Sequence, residues 1–363
     1  MKKILIFADS FTGYGAEHMQ MWVGNGLSEL GHEVCFCSVY DKDKNNYIIN
    51  KSPFCSLNLE RNRSGLYQYI IYYLLGVKRL VSLCKSYHFD YVITFKENPM
   101  TLVLLARLFC NICHIHSERD DPYYRDTFPS KIKMWLYRFT SIIVFQTTGA
   151  RDFFSESIKH KSVIIHNPAI PSNTLWDYNK AEKTIVNIGR LDIKYKRQDL
   201  LIKAFDEVHT EFQDYRLVFV GDGEDRSYLE NLACKLGIRE KVDFCGKLPD
   251  ASKSLSNAGI FVLTSDTEGI PNVLIEALAA GVPSVATDCS PGGAKLLIEN
   301  YTNGLLVNRG DAHGLAEAIK YVLNNHDVQI YMSANAIQSI KRFAPEVIIS
   351  KWNNLITRNL YER

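Results

Sequence analysis

Ile260-Phe261-Val262-Leu263 is a short unbroken apolar run, and Thr264-Ser265-Asp266-Thr267-Glu268-Gly269-Ile270 is the polar loop after it. Pro271-Asn272-Val273-Leu274-Ile275-Glu276-Ala277-Leu278-Ala279-Ala280 then reads as a helix, Gly281 stops it, and Ser284-Val285-Ala286 is the next apolar run. Proline suits a helix start, where its missing N–H costs no hydrogen bond. Glycine suits the stop, which asks for a left-handed backbone. Strand runs that are apolar throughout, not alternating, belong to parallel sheets covered on both faces. This stretch is therefore one strand–helix–strand unit of an α/β fold.

The same rhythm runs outward from it. Thr184–Ile188 leads to a helix over Gln198–Glu211, Arg216–Val220 to one over Asp225–Lys235, and Val242–Cys245 to one over Ala251–Asn257. A helix over His313–Asn324 follows later. In the first half, strand Lys3–Ala8 leads through the loop Thr12–Gly15 to helix Glu17–Leu30, stopped by Gly31. Further strands are expected over Glu33–Val39, Tyr91–Thr94, Ile112–His116, Ser141–Gln146 and Val163–Ile165, and the polar stretch Asp41–Ser64 reads as a surface excursion. His166-Asn167-Pro168-Ala169-Ile170-Pro171 interrupts the pattern, and Ser172–Lys183 is polar, which divides the chain into two doubly wound parallel-sheet domains, 1–170 and 171–345. The end, Pro345–Leu360, is an amphipathic helix by itself.

Composition sets the limits. The chain has 363 residues, 46% hydrophobic and 23% charged, which suits about two ordinary globular domains. No apolar run reaches the ~18 residues of a membrane span. Tyr69–Val77 contains Gly76, and Met100–Cys110 is interrupted by Arg107. The apolar run after Lys2-Lys3 is too short for a signal peptide, so a cytoplasmic setting is expected. Net charge is +2, but residues 1–170 carry +5 and hold most of the tyrosines, which suits an anionic surface or acceptor. The nine cysteines are expected as free thiols. Cys110-Asn111-Ile112-Cys113-His114 has the haem-attachment spacing, yet it sits in an apolar run that reads as a buried strand, so neither haem nor zinc is expected there.

In a parallel sheet ligands bind where strand ends meet helix N-termini. Two dinucleotide fingerprints nearly form and fail: Gly13-Tyr14-Gly15 has His18 at the third glycine position, and Gly221-Asp222-Gly223 has Arg226. Three other strand ends are chemically distinctive. Gly189-Arg190-Leu191, with Lys196 and Arg197 beyond, gathers cations suited to phosphate oxygens, though a solvated turn would look similar. Glu268 and Glu276 place two carboxylates around a helix start, a combination suited to a sugar diphosphate. Helix-dipole stabilisation accounts for Asp266 and Glu268 but poorly for Glu276. Gly15, with Ala16 and Glu17, opens the first helix at a side-chain-free position that a phosphate can approach.

Glu268 to Glu276, continued by Ala277-Leu278-Ala279-Ala280-Gly281-Val282-Pro283-Ser284, together with Gly189-Arg190-Leu191, Lys196, Asp199 and Val220-Gly221-Asp222-Gly223, resembles the retaining glycosyltransferases of family GT4. The resemblance is strong over 184–310. It implies the GT-B fold, two Rossmann-like doubly wound parallel-sheet domains facing a central cleft, with the helix over 346–363 packing back on the N-terminal domain. The second domain would hold the nucleotide-sugar donor and the first the acceptor, with no metal and no cofactor beyond the co-substrate.

The resemblance assigns Arg190 and Lys196 to the diphosphate, Glu268 to the donor sugar, Glu276 to the ribose, the Asn272, Val273 and Leu274 backbone to phosphate and sugar, and Gly15 to the diphosphate side of the first domain. Tyr195 is one residue more than the family usually has between Arg190 and Lys196. In His114-Ile115-His116-Ser117-Glu118-Arg119, either His116 or Arg119 takes the first-domain catalytic place, with Glu118 and Arg119 as acceptor or sugar contacts; His116 also fits a plain buried strand-end histidine. The function implied is transfer of a hexose or N-acetylhexosamine from a nucleotide-sugar, UDP-sugar by preference, to a glycan or lipid-linked glycan acceptor in bacterial surface polysaccharide or lipopolysaccharide assembly. No nucleic-acid partner is implied. The basic aromatic stretch Lys131–Phe139 suits peripheral contact with the inner membrane, or ordinary core packing. A nucleotide-sugar epimerase of the same fold and a non-catalytic nucleotide-sugar-binding module are the rival readings.

Overall fold

A computed structural model describes residues 1–11, 15–40, 52–60, 65–125, 127–172, 174–248 and 251–357. Thr12, Gly13 and Tyr14 of the first loop, residues 41–51 and 61–64 of the expected excursion, and residues 358–360 of the expected last helix lie outside them. The chain forms two compact units: Met1–His166 with the chain from Glu346 onward, and Asn167–Pro345.

Unit 1 contains strands β1 (Lys3–Ala8), β2 (Glu33–Ser38), β3 (Phe54–Ser56), β4 (Tyr91–Thr94), β5 (Cys113–Ser117), β6 (Ile142–Phe145) and β7 (Ser162–Ile164). They lie in the order β3-β2-β1-β4-β5-β6-β7, every neighbour parallel. Side chains alternate between faces along a strand. Ile4 and Ile6 therefore pack under the helices Gly15–Glu29 and Pro345–Thr357, while Leu5 and Phe7 pack under Leu66–Tyr87 and Glu97–Ala106. Trp352 of the last helix is fully buried and stacks on Phe95, with ring centroids 6.0 Å apart. Gln20 clasps the centre of the sheet, its Nε2 donating to the Phe7 carbonyl of β1 at 2.9 Å and the Ile93 carbonyl of β4 at 3.2 Å.

Unit 2 contains β8 (Thr184–Ile188), β9 (Arg216–Val220), β10 (Val242–Phe244), β11 (Ile260–Leu263), β12 (Ser284–Thr287) and β13 (Leu305–Val307). Their order is β10-β9-β8-β11-β12-β13, again all parallel. The helix Gln198–His209 packs on one face and Asn272–Ala280 on the other. In both units the order reverses beside the first strand, between β1 and β4 and between β8 and β11.

Most elements fall within two residues of the sequence-based expectation, the usual scatter of helix and strand ends. Several elements are additional, including the helices Glu97–Ala106, Thr148–Asp152, Glu156–Lys159 and Gly293–Leu297. β3 forms inside the stretch read as a surface excursion; three residues are too short to show a pattern. β13 escapes for the same reason. The helix Leu66–Tyr87 has apolar residues on more than one side, which hides the 3.6-residue period. The helix His326–Ile340 interleaves polar residues with its buried ones.

Trp352→Ala should cost about 3–5 kcal/mol, the usual range for emptying a buried tryptophan site. Hydrogen exchange should show the loss in β1 and β4, with β8 and β11 unchanged. Equal loss in both sheets would contradict the assignment of the last helix to unit 1.

Candidate functional site

The two loops leaving the switch point of unit 2 are fastened to each other. After β8 the chain turns through Gly189 to Leu191. Gly221, at the end of β9, has φ of +137°, and a Cβ there would stand 1.9 Å from the Gly189 carbonyl oxygen. Only glycine fits that approach. A turn follows, closed by Lys196 N–H to the Asp192 carbonyl at 2.8 Å, while the Asp192 carboxylate accepts from the Lys194 and Tyr195 amides at 3.1 and 3.3 Å. The extra residue Tyr195 is absorbed in this turn, and its carbonyl accepts the Asp266 N–H at 2.9 Å. Thr264 Oγ1 donates to the Lys196 carbonyl at 2.8 Å.

Lys196 and Glu268 form an ion pair, and Ser265 Oγ donates to the same carboxylate oxygen at 2.9 Å. Beside it Arg197 bridges Asp266 at 2.9 Å and Asp199 at 3.1 Å. Arg197 thus braces the two loops, a role its position in the sequence did not reveal. Arg190 is exposed and, among the described residues, pairs with Asp192 alone.

The helix Asn272–Ala280 begins at Pro271 without a side-chain cap. The Leu274 amide donates to the Pro271 carbonyl at 3.1 Å and its side chain is fully buried, so Leu274 offers no donor to a ligand. The Asn272 and Val273 amides precede it at the open end of the helix, and Asn272 Oδ1 accepts from Asn167 at 2.6 Å. Glu276, one turn further, forms no hydrogen bond or ion pair with the other described residues. Its side chain is accessible, yet protein atoms crowd the carboxylate and raise its pKa. Lys196, Glu268, a free helix start and an unpartnered carboxylate thus share one switch point. Cations and helix amides suit phosphate; carboxylates suit hydroxyls.

In unit 1 the switch point holds Gly15 and the pair Lys96–Glu17. Gly15 has φ of +54° and is exposed at the helix start. Glu17 is buried, accepting from Lys96 at 2.5 Å and Ser10 at 3.2 Å. Neither Lys96 nor Ser10 was legible as a site residue. Beyond β5 the placements differ from expectation. His116 is buried; its Nδ1 and His114 Nε2 share the Thr94 hydroxyl at 3.0 and 2.9 Å. Burial, with Arg125 and Arg119 nearby, pulls its pKa down to about 3. It is a neutral strand-end histidine whose ring is held through Nδ1 by Thr94.

Glu118 is corrected as an acceptor contact. It is 2% exposed and accepts from the Arg119 and Asp120 amides at 2.9 Å, from Arg125 at 3.0 Å, and from the Tyr137 hydroxyl. Burial pushes its pKa up and the Arg125 charge pulls it back. Its oxygens serve the fold. Arg119 lies over the Phe95 ring, 4.1 Å from the centroid, at the end of β4. Among the described residues no three His, Cys, Asp or Glu side chains gather to hold a metal ion.

Comparison with known proteins agrees with this geometry. A family model for glycosyl transferases, group 1, matches residues 176–339, which lie inside unit 2. An uncharacterized glycosyltransferase of Haemophilus influenzae is 30% identical over 98% of this chain and all of its own. The chain belongs to the group 1 glycosyl transferases. A Campylobacter jejuni α-1,4-N-acetyl-D-galactosaminyltransferase, named for an undecaprenol diphosphate-linked acceptor, is 27% identical over 98% of both chains. Among solved structures, Anabaena HepE in complex with UDP and glucose matches with a TM-score of 0.80, 18% identity and coverage of 98% of this chain and 100% of its own. The fold of this glycosyltransferase is GT-B.

The raised pKa of Glu276 has a stability consequence. The ionised form is penalised in the folded chain, so the penalty is full above the folded pKa and vanishes below the unfolded value of about 4.3. Glu276→Gln should therefore raise the melting temperature at pH 7.5, with the gain shrinking as the pH falls toward about 4. A gain independent of pH would contradict the crowding of this carboxylate.

Proposed function

We propose that this glycosyltransferase moves a hexose or N-acetylhexosamine from UDP-sugar to a hydroxyl of a glycan or lipid-linked glycan, with retention and without a metal ion. Unit 2 takes the donor and unit 1 the acceptor, in bacterial surface-glycan assembly at the cytoplasmic face of the inner membrane. The observation that carries this reading is the Lys196–Glu268 pair set beside an open helix start and an unpartnered Glu276.

Breaking the bond between the sugar C1 and the diphosphate leaves charge on the departing phosphate. Lys196, Arg190 and the Asn272 and Val273 amides are the donors suited to that charge, a task fixed donors perform well because they need no reorganisation. Glu268 keeps Lys196 in place before the donor arrives and then accepts from sugar hydroxyls. Glu276 accepts from the ribose. The acceptor oxygen forms the new bond to C1 on the face the diphosphate leaves, and its proton passes to the leaving group. The α linkage named for the Campylobacter relative is what retention gives from an α-linked donor, and UDP bound to the Anabaena neighbour supports the choice of nucleotide.

Arg190→Ala and Lys196→Ala should each lower transfer by ~10²–10³ without changing the melting temperature by more than a few degrees. Wild-type turnover in both would remove the donor assignment. EDTA should leave activity intact; loss restored by Mg²⁺ or Mn²⁺ would contradict it. Donor converted to its epimer without acceptor would establish the epimerase, and binding without transfer to any acceptor the non-catalytic module.

The two glutamates should separate by calorimetry with UDP. Glu276→Gln should weaken binding about tenfold or more, since a hydrogen bond to a charged acceptor contributes about 1.5–3 kcal/mol. Glu268→Gln should preserve or tighten it, because Lys196 loses its internal counter-charge, while turnover falls. The reverse pattern would mean the donor lies the other way round.

A further inference from the structure

The helix Leu66–Tyr87 packs on unit 1 through Tyr72, Gly76, Leu80 and Cys84, one residue per turn. The opposite side of a surface helix is ordinarily polar. Here its first half is apolar and aromatic. Leu66 is 77% exposed, Tyr67 75% and Leu74 66%, and Tyr69, Ile70 and Leu75 are also exposed. Of these, Tyr67, Ile70 and Leu74 lie on the outward side at i, i+3 and i+7, with Leu75 beside them, and form a patch, unlike the scattered singles normal on protein surfaces. The second half of the same outward side carries Lys78 and Lys85, neither in an ion pair with a described residue, and the helix has no acidic residue. Arg79 is turned inward to the Asn58 carbonyl at 3.0 Å and lines a shallow groove with Glu60.

An apolar face that carries an exposed tyrosine and continues into cations with no ion pair among the described residues matches a lipid headgroup layer over acyl chains. It fits a second folded protein less well, since that would need carboxylates placed against Lys78 and Lys85. No helix among the described residues is long and apolar enough to cross a membrane, so contact would be along the surface. We infer that the helix Leu66–Tyr87 seats unit 1 on an anionic bilayer, its first three turns entering the interface and Lys78 and Lys85 meeting lipid phosphates. This deepens the reading of a lipid-linked acceptor, because such an acceptor is anchored in that surface. The stretch Lys131–Phe139 offers a second such face: Met134 and Tyr137 are buried in the core of unit 1, while Ile132, Trp135 and Phe139 are exposed.

Vesicle flotation tests it without donor or acceptor, so the outcome is independent of the proposed reaction. The full chain should float with phosphatidylcholine vesicles containing 30% phosphatidylglycerol and bind pure phosphatidylcholine at least tenfold less. Binding should fall in 1 M salt, where the screening length is about 3 Å. Ile70→Ser/Leu74→Ser and, separately, Lys78→Glu/Lys85→Glu should each reduce binding at least tenfold. All four positions are exposed, so both variants should keep the wild-type melting temperature and turnover on a soluble acceptor. Flotation of either variant at wild-type level, or none by the wild type, would overturn the proposal. So would concentration-dependent dimerisation of the wild type that Ile70→Ser/Leu74→Ser abolishes, which would assign the patch to a second copy of the chain.

Discussion

A parallel sheet whose strand order reverses sends the two loops at the reversal to opposite faces, and the gap between them is left for side chains and ligands. In unit 2 that gap lies between β8 and β11, and the ion pair of Lys196 from the first loop with Glu268 from the second spans it, beside Arg197 with Asp266. The surroundings serve this pair. Gly221 lets the β9 loop press against Gly189, Arg197 ties Asp199 to Asp266, and Thr264 holds the Lys196 carbonyl. In the proposed reading the pair offers a cation to phosphate and a carboxylate to hydroxyls from one place, and the residues matched by the group 1 glycosyl transferase model include it.

Unit 1 uses its own reversal differently. Gln20 bonds both central strands, and Lys96 is held by the buried Glu17 next to the exposed Gly15. The polar residues beyond β5 turn inward: His116 to Thr94, and Glu118 to Arg125 and Tyr137. Burial explains their chemistry. A neutral histidine held through Nδ1 and a carboxylate with several internal donors stabilise this region, and the carboxylate has no free capacity for a ligand.

The apolar runs made both sheets legible, because a strand buried on two faces has little choice of residue. The gathering of charge at the unit 2 switch point was legible too: Arg190, Lys196 and Glu268 stand on the loops after β8 and β11, and Glu276 in the helix that follows. Leu274, Glu118 and His116 could not be judged from sequence. Whether an amide, a carboxylate or an imidazole is already satisfied depends on partners distant in the chain, such as Thr94 for His116 and Tyr137 for Glu118. β3 and the helix Leu66–Tyr87 were illegible for a different reason: one is too short for a period, and the other hides its period under apolar residues on two sides.

A double-mutant cycle on Lys196 and Glu268 bears most directly on the claim that the pair acts as one device. Turnover would be measured for Lys196→Ala, Glu268→Ala and the double variant. Residues acting as a unit are strongly non-additive. The account predicts that the double variant is no slower than the worse single variant. Losses that multiply, each substitution costing the same whether or not the other is present, would contradict it.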